Sequence, residues 1–278
     1  MPIAKSLLDS GFQLVAFDLR ELPLRDLKQL GAAIGSSPAD VGGNSDFTIT
    51  ILPNAASVRS TVMDVLKGAK KGHTIIEMST IDVQTTLSLE EEARKKGANF
   101  LDAPITGTPD RVATKDIIVL ASGNEETVRN SMSVLLAIAK DVEYVGKAGN
   151  GKIVKLTNNL LIAAHKIATV EAISFAVKQG IEPQHLFKVV KGSTSDSKVF
   201  DRFCESAINS NSEIAKRHSW HVKDLELIID LGRKSGAPLF LGNLSKELMQ
   251  SAKEAAGGNE NFESLVRYYQ SKMGIEQK

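Results

Sequence analysis

The first half of the chain alternates between short apolar runs and stretches with helical spacing. Several apolar runs are continuous, as in parallel strands that are buried on both faces. Between them, apolar residues recur every three or four positions, which indicates helices. The alternation predicts a doubly wound, Rossmann-like α/β domain with a mostly parallel sheet. The predicted strands are 13–18, 47–52, 74–78, 99–102, 117–122 and 142–145, and the predicted helices are 2–10, 24–30, 56–66, 83–95 and 125–138.

The second half of the chain has helical patterns and no strand pattern after residue 145. A long apolar stripe at helical spacing predicts one continuous helix over 151–180. We therefore predict an α/β domain over 1–148 and an all-helical domain over 149–278, joined by this long interdomain helix. The further predicted helices are 182–191, 199–209, 221–235, 241–256 and 262–272.

Length and charge limit the classes of function. A chain of 278 residues suits two domains. The 34 basic and 33 acidic side chains nearly cancel, so we expect no nucleic-acid partner. No uninterrupted apolar run reaches the roughly 18 residues of a membrane span, so we expect no membrane partner. With a single cysteine, Cys204, the chain has no intrachain disulfide and no cysteine-based zinc site, and we expect a reducing, cytoplasmic location.

The N-terminal part lacks the glycine-rich turn that usually opens a doubly wound domain. In such domains, an acidic residue that binds a ribose follows this turn by about 20 residues. Here the acidic residue at a strand end is Asp18, so a glycine-rich turn about 20 residues earlier would fall before residue 1. We therefore expect the chain to begin inside the helix after that turn. An organelle-targeting sequence could not be recognised in that case. The alternative is a short domain that never had the loop.

A second glycine cluster, 146–152, almost matches a phosphate-binding P-loop. Ile153 stands where that motif needs Ser or Thr, and the cluster follows the last predicted strand. We expect its glycines to form the turn between the two domains.

Five segments in chain order resemble motifs of the β-hydroxyacid dehydrogenase family, which is related to the cofactor domain of 6-phosphogluconate dehydrogenase. The resemblance covers nearly the whole chain. Thr106 and Thr108 depart from it, since the family has Ser and Gly there. The segments are Ile-Leu-Pro-Asn at 51–54, Glu-Met-Ser-Thr-Ile at 77–81, Asp-Ala-Pro-Ile-Thr-Gly at 102–107, Gly-Asn-Gly-Lys-Ile-Val-Lys-Leu-Thr-Asn-Asn at 149–159 and Val-Lys-Asp-Leu at 222–225.

The resemblance implies an oxidoreductase that transfers a hydride between NAD(P) and a small hydroxy acid of the 3-hydroxyisobutyrate or threonate type. It also implies a homodimer or homotetramer built through the helical domain. Lys155 is the implied catalytic residue. The implied substrate-binding residues are Thr106, Gly107, Thr108 and Asn159, and the implied cofactor-binding residues are Asp18, Leu52, Pro53, Asn54, Thr80 and Lys223.

Oxidation of a hydroxy acid needs a side chain that takes the hydroxyl proton while the nicotinamide takes the hydride. Lys155 can take it, and its spacing from Lys152 and Asn159 predicts that all three share one helix face. The like charge of Lys152 would then favour the neutral amine of Lys155. The alternative is that the two lysines form a solvated basic face.

The residues after the first predicted strand bear on the choice of cofactor. Asp18 is the expected acceptor for a ribose hydroxyl and favours NAD. Arg20 can receive a 2′-phosphate, which leaves NADP open.

Two other interpretations stay open. A non-catalytic relative could act as a helical interaction or oligomerisation protein without the cofactor loop. His218 and His221 are three residues apart, but no carboxylate cluster accompanies them, so we expect no metal site.

Overall fold

The computed structural model describes residues 1–107, 109–202 and 222–275. The chain divides into two compact units, Met1–Lys155 and Leu156–Lys278. The division predicted between residues 148 and 149 stays a prediction.

The first unit has the predicted alternation of strands and helices. Its strands are β1 (Val15–Ala16), β2 (Ala33–Ile34), β3 (Phe47–Thr50), β4 (Thr74–Glu77), β5 (Asn99–Asp102), β6 (Ile105–Thr106), β7 (Ile118–Gly123) and β8 (Asp141–Tyr144). Its helices are α1 (Pro2–Asp9), α2 (Glu21–Gln29), α3 (Pro38–Gly43), α4 (Ala55–Gly68), α5 (Val83–Lys95), α6 (Pro109–Ala113) and α7 (Glu125–Ile138).

The main sheet is mixed, with parallel strands at its centre. Its order is β3-β4-β5-β7-β6, and β8 pairs with β7. Strands β3, β4 and β5 run parallel, β7 is antiparallel to β5 and β6, and β8 is parallel to β7. Strands β1 and β2 form a separate parallel pair. The predicted doubly wound, mostly parallel sheet is therefore confirmed.

Apolar layers cover both faces of this sheet. Along β4, Ile75 packs into a cluster with α4 and α5, whereas Ile76 packs into a cluster with α1 and α7. Phe100 and Leu101 of β5 divide between the two clusters in the same way. Successive strand residues point to opposite faces, so a continuous apolar run supplies both cores.

Four short elements were missed by the sequence patterns. Strands β2 and β6 have two residues each, and helices α3 and α6 have six and five. Elements of this length show no periodicity. The predicted strand 13–18 is a strand only at Val15–Ala16.

The elements of the second unit, within its described residues, are helices, as predicted. Part of the predicted helix 199–209 lies outside the described residues. The long helix α8 (Asn150–Lys178) begins in the first unit and continues into the second. The other helices are α9 (Pro183–Val190), α10 (Val222–Ser235), α11 (Phe240–Ala255) and α12 (Phe262–Lys272).

Helix α8 bears on the expectation that no segment of the chain spans a membrane. By length and composition alone it could cross a membrane, and among the described residues it is the one helix that passes this test. A buried core helix of a soluble protein passes the same test, and 44% of the apolar window is buried. The helix is therefore only weak evidence for a membrane span.

Candidate active site

The parallel strands β3, β4 and β5 bring three of the predicted motifs to one edge of the sheet. The backbone N–H of Leu52, after β3, donates to the Ser79 hydroxyl, after β4, at 2.8 Å. Asn54 caps helix α4, because its side-chain oxygen accepts the Ser57 N–H at 2.9 Å. Ligands of doubly wound sheets bind outside this edge.

The predicted cofactor residues at this edge differ in exposure. Pro53 and Asn54 are exposed, and Leu52 and Thr80 are half-buried. The 52–54 turn therefore has surface that a ligand could contact. The Leu52 N–H and the Asn54 side-chain oxygen, however, already form hydrogen bonds within the chain.

Asp18 and Arg20 form a pair. Arg20 donates from Nε and Nη2 to the two carboxylate oxygens of Asp18 at 3.1 and 3.0 Å, and its backbone N–H donates at 2.9 Å. The hydrogen bonds from the Arg20 side chain hold the pKa of Asp18 below its ordinary value. The two residues that favour different cofactors are therefore bonded to each other in this structure.

The predicted substrate loop begins at β6. The Thr106 hydroxyl lies 3.5 Å from the carbonyl oxygen of Ile118. Gly107 has φ +136°, and a Cβ there would lie 2.5 Å from the Ile117 side chain, which is buried. The position therefore requires glycine. Thr108 lies outside the described residues.

The glycine turn that resembles a P-loop holds an internal carboxylate. The backbone N–H groups of Gly149 and Lys152 donate to Oδ2 of Asp102 at 3.0 and 3.2 Å. The Ser122 hydroxyl donates to the same oxygen at 2.9 Å and accepts the Gly151 N–H at 3.0 Å. Asp102 therefore takes the place at the helix N-terminus where a P-loop would bind phosphate.

Gly151 allows this close approach of helix and sheet. A Cβ at this position would lie 2.8 Å from the Leu120 carbonyl oxygen and 3.0 Å from the Asp102 carboxylate. Any larger residue would push the first turn of α8 off the strand ends.

The side chain of Lys152 is fully buried between two carboxylates. Its ammonium lies 2.7 Å from Oε2 of Glu77 and 2.7 Å from Oδ1 of Asp102, and all three side chains have 0% exposure. It also donates to the backbone carbonyl of Glu77 at 3.3 Å. The proposed basic face of Lys152 and Lys155 is therefore wrong.

Lys155 lies one turn further along α8 and is half-buried. Residues 152, 155, 156 and 159 are buried or half-buried, whereas 153, 154 and 157 are exposed, so the shared helix face predicted for Lys152 and Lys155 is confirmed although their environments differ. The charge of Lys152 is balanced by Glu77 and Asp102, so it does not act on Lys155 as an unpaired like charge.

In the second unit, Asp224 joins two of the predicted residues. The Asn159 amide donates to its Oδ2 at 2.8 Å, and the Lys223 ammonium lies 2.8 Å from its Oδ1. Asp224 itself is buried. The sequence assigned Asn159 to substrate and Lys223 to cofactor, and the structure places both on one carboxylate.

The sequence analysis gave no role to Glu77, Asp102, Ser122 or Asp224. One signal could have indicated the first two, since both acidic residues end strands whose apolar residues predict burial. A buried charge needs a partner, and Lys152 is the basic residue of the glycine turn. Within the described residues, no group of three or more His, Cys, Asp or Glu side chains could hold a metal ion. His218 and His221 lie outside them.

Two family models match the chain. Residues 1–146 match the NAD binding domain of 6-phosphogluconate dehydrogenase. Residues 149–269 match the NAD-binding domain of NADP-dependent 3-hydroxyisobutyrate dehydrogenase. The first match alone covers more than half of the 278 residues.

Individual proteins match over nearly the full chain. Mitochondrial 3-hydroxyisobutyrate dehydrogenase of Mus musculus is 29% identical, over 96% of this chain and 83% of its own length. L-threonate dehydrogenase of Cupriavidus necator is 28% identical, over 96% and 91%. The solved structure of Mycobacterium tuberculosis 3-hydroxyisobutyrate dehydrogenase with L-serine has a TM-score of 0.88 and 28% identity, over 96% of this chain and 94% of that one. The chain therefore belongs to the β-hydroxyacid dehydrogenase family of NAD(P)-dependent oxidoreductases.

Proposed function

We propose that this protein transfers a hydride between NAD(P) and a small hydroxy acid of the 3-hydroxyisobutyrate or threonate type. The observation that carries the proposal lies in the first unit. Asp102 anchors the first turn of α8 at the ends of the sheet strands, and this helix carries the half-buried Lys155. The Thr106–Gly107 loop follows β5, the strand that ends in Asp102. The family assignment supports the dehydrogenase and gives no support to the non-catalytic alternative.

Two features of the first unit suit a dinucleotide. The Asp18 carboxylate follows β1 and is partly exposed, as an acceptor for ribose hydroxyls should be. The 52–54 turn is held by Ser79 and exposes Pro53 and Asn54 at the strand ends. We assign Asp18, Leu52, Pro53, Asn54 and Thr80 to the cofactor, and from the resemblance also Lys223. The bound nicotinamide supplies the hydride acceptor or donor.

The chain supplies the proton chemistry and the binding of substrate. We assign Lys155 as the general base that takes the hydroxyl proton during oxidation and returns it during reduction. Thr106, Gly107 and Thr108 offer hydroxyl and backbone N–H groups to the substrate carboxylate. From the resemblance we also assign Asn159 of the second unit to substrate binding, and its bond to Asp224 fixes the orientation of its amide.

We expect the purified protein to reduce NAD⁺ with 3-hydroxyisobutyrate or threonate. NAD⁺ should be preferred to NADP⁺, since the Asp18 carboxylate accepts ribose hydroxyls and repels a 2′-phosphate. A preference of about tenfold in kcat/KM corresponds to roughly 1.4 kcal/mol. Formation of reduced nicotinamide over a panel of small hydroxy acids measures both.

The same assay has a matched pair of variants. Asp18→Asn should shift the preference toward NADP⁺, and Arg20→Ala should shift it further toward NAD⁺, because it frees the Asp18 carboxylate. A protein that binds NADH but turns over no hydroxy acid of the panel would contradict the proposed activity. Equal shifts in the same direction would contradict the role of Asp18.

We also infer a homodimer or homotetramer in the cytoplasm. Large apolar side chains are exposed on the helices of the second unit, among them Phe175, Phe240, Leu241 and Leu244. Patches of this kind mark association surfaces. Light scattering should give two or four times the chain mass of 30.0 kDa. A single-chain mass at micromolar concentration would contradict this inference.

A further inference from the structure

Lys152 occupies a position where an ammonium group is costly. It lies in the first turn of α8 with no solvent exposure. Desolvating a charge is unfavourable unless opposite charges and hydrogen bonds replace water. Glu77 and Asp102 supply the opposite charges, each with a carboxylate oxygen 2.7 Å from the ammonium, and the Glu77 backbone carbonyl accepts a hydrogen bond from it. The two carboxylates come from neighbouring parallel strands, so Lys152 joins the ends of β4 and β5 to the helix.

The two carboxylates are not equivalent. Oδ2 of Asp102 accepts the Gly149 and Lys152 N–H groups and the Ser122 hydroxyl. These donors, together with the helix N-terminus, stabilise the charge of Asp102 independently of the ammonium. Glu77 depends more on Lys152, because its Oε2 faces the ammonium and its Oε1 accepts one backbone N–H.

Glu77 also connects Lys152 to the 52–54 turn. Its Oε1 accepts the Ser79 N–H at 2.7 Å, and the Ser79 hydroxyl accepts the Leu52 N–H at 2.8 Å. A continuous chain of short contacts therefore runs from the first turn of α8 through Glu77 and Ser79 to Leu52. Lys155 lies one turn further along the same helix.

We propose that Lys152 is a positioning residue that couples the 52–54 turn to the helical turn that carries Lys155. It acts through Glu77 and Ser79 and does not touch the reacting atoms. The proposal rests on the proposed function only where it concerns cofactor and turnover, because the coupling itself is a property of the ligand-free chain. Without the ammonium, Glu77 and Asp102 would face each other as two buried like charges. Glu77 would then take up a proton or move toward water, and either change would weaken the hydrogen bond that it accepts from the Ser79 N–H.

The test is amide hydrogen exchange of the whole 278-residue chain without ligand. In Lys152→Met, exchange at Leu52 and Ser79 should become at least about tenfold faster, because local opening governs the protection of these amides. In the double variant Glu77→Gln/Lys152→Met, the like charges are gone, and the amide at position 77 can accept from Ser79 and donate to Asp102. Protection at Leu52 should then return toward that of the original chain.

Lys147→Met is the matched control, because Lys147 lies in the same glycine turn but is exposed. It should leave exchange at Leu52 unchanged. Protection at Leu52 that survives in Lys152→Met, or an equal loss of protection in every strand, would overturn the coupling. A double variant that exchanges as fast as the single variant would overturn the role of Glu77.

NADH titration then separates this inference from the proposed function. Lys152→Met should weaken NADH binding about tenfold and also lower kcat, and the double variant should recover most of both. If the original chain binds NADH and turns over a hydroxy acid while Lys152→Met matches it in both, the coupling fails and the dehydrogenase stands. If the original chain neither binds NADH nor turns over substrate, the function fails and the exchange result still decides the coupling.

Discussion

Replacing Lys155 by alanine should lower kcat for the oxidation of a small hydroxy acid by roughly 10²–10⁴-fold, the range that positioned acid–base groups contribute. The expectation follows from the proposed role of the amine as the acceptor of the hydroxyl proton. Lys155 is half-buried, and the first turn of α8 is fixed by Asp102, Ser122 and Lys152 instead. The fold should therefore survive the change, and NADH should bind within about twofold of the original affinity. Steady-state kinetics and NADH titration on the same preparation measure both.

Two further variants make this result specific. Lys155→Arg keeps the positive charge but cannot release its proton at working pH, so it should be nearly as inactive as Lys155→Ala. Lys147→Ala removes an exposed lysine from the preceding turn and should retain the original rate. Retention of most activity in Lys155→Ala would refute the assignment. Recovery by arginine would show that charge, and not proton transfer, is what the site needs.

The order of strands and helices could be predicted because buried positions are mostly apolar and recur with the spacing of a strand or a helix. Strand β4 is buried at all four positions, and the apolar pair Ile75 and Ile76 at its centre indicates this burial. The two-residue strands β2 and β6 are too short to show such a pattern, since their pairing is decided by neighbouring segments. The antiparallel direction of β7 could not be predicted either, because an apolar run does not indicate in which direction a strand runs in the sheet.

The candidate site was predictable where a motif carries its own chemistry and unpredictable where partners come from distant segments. The positions of Lys155 and of the Thr106–Gly107 loop followed from motifs. Helical spacing put Lys152 on the face of Lys155, but spacing cannot show which side of a helix packs on the sheet. The buried side is decided by Asp102 and Glu77, which end two strands and lie 50 and 75 residues before Lys152 in the chain. Asp224 was missed for the same reason, since its partner Asn159 is 65 residues away.

Asp102 is the residue whose removal should cost the most stability. It has no solvent exposure, pairs with Lys152 and accepts two backbone N–H groups of the α8 turn and the Ser122 hydroxyl. Removing one partner of a buried ion pair typically costs about 3–5 kcal/mol, because the other charge stays buried and loses its compensation. We expect a loss of this size in the free energy of unfolding for Asp102→Ala, measured by urea denaturation.

Two variants distinguish a buried anchor from the loss of any carboxylate. Asp116→Ala removes an exposed carboxylate that pairs with Arg111 in the same unit, and should cost at most about 1 kcal/mol, as exposed pairs do. Ser122→Ala removes one hydroxyl of the anchor and should cost about 1–3 kcal/mol, because the Gly151 N–H then loses its acceptor. If Asp102→Ala cost no more than Asp116→Ala, the carboxylate could not be the anchor of α8. The expected order, with Asp102 far above Ser122 and Asp116 lowest, follows because the buried carboxylate holds both the ammonium of Lys152 and the backbone of the glycine turn.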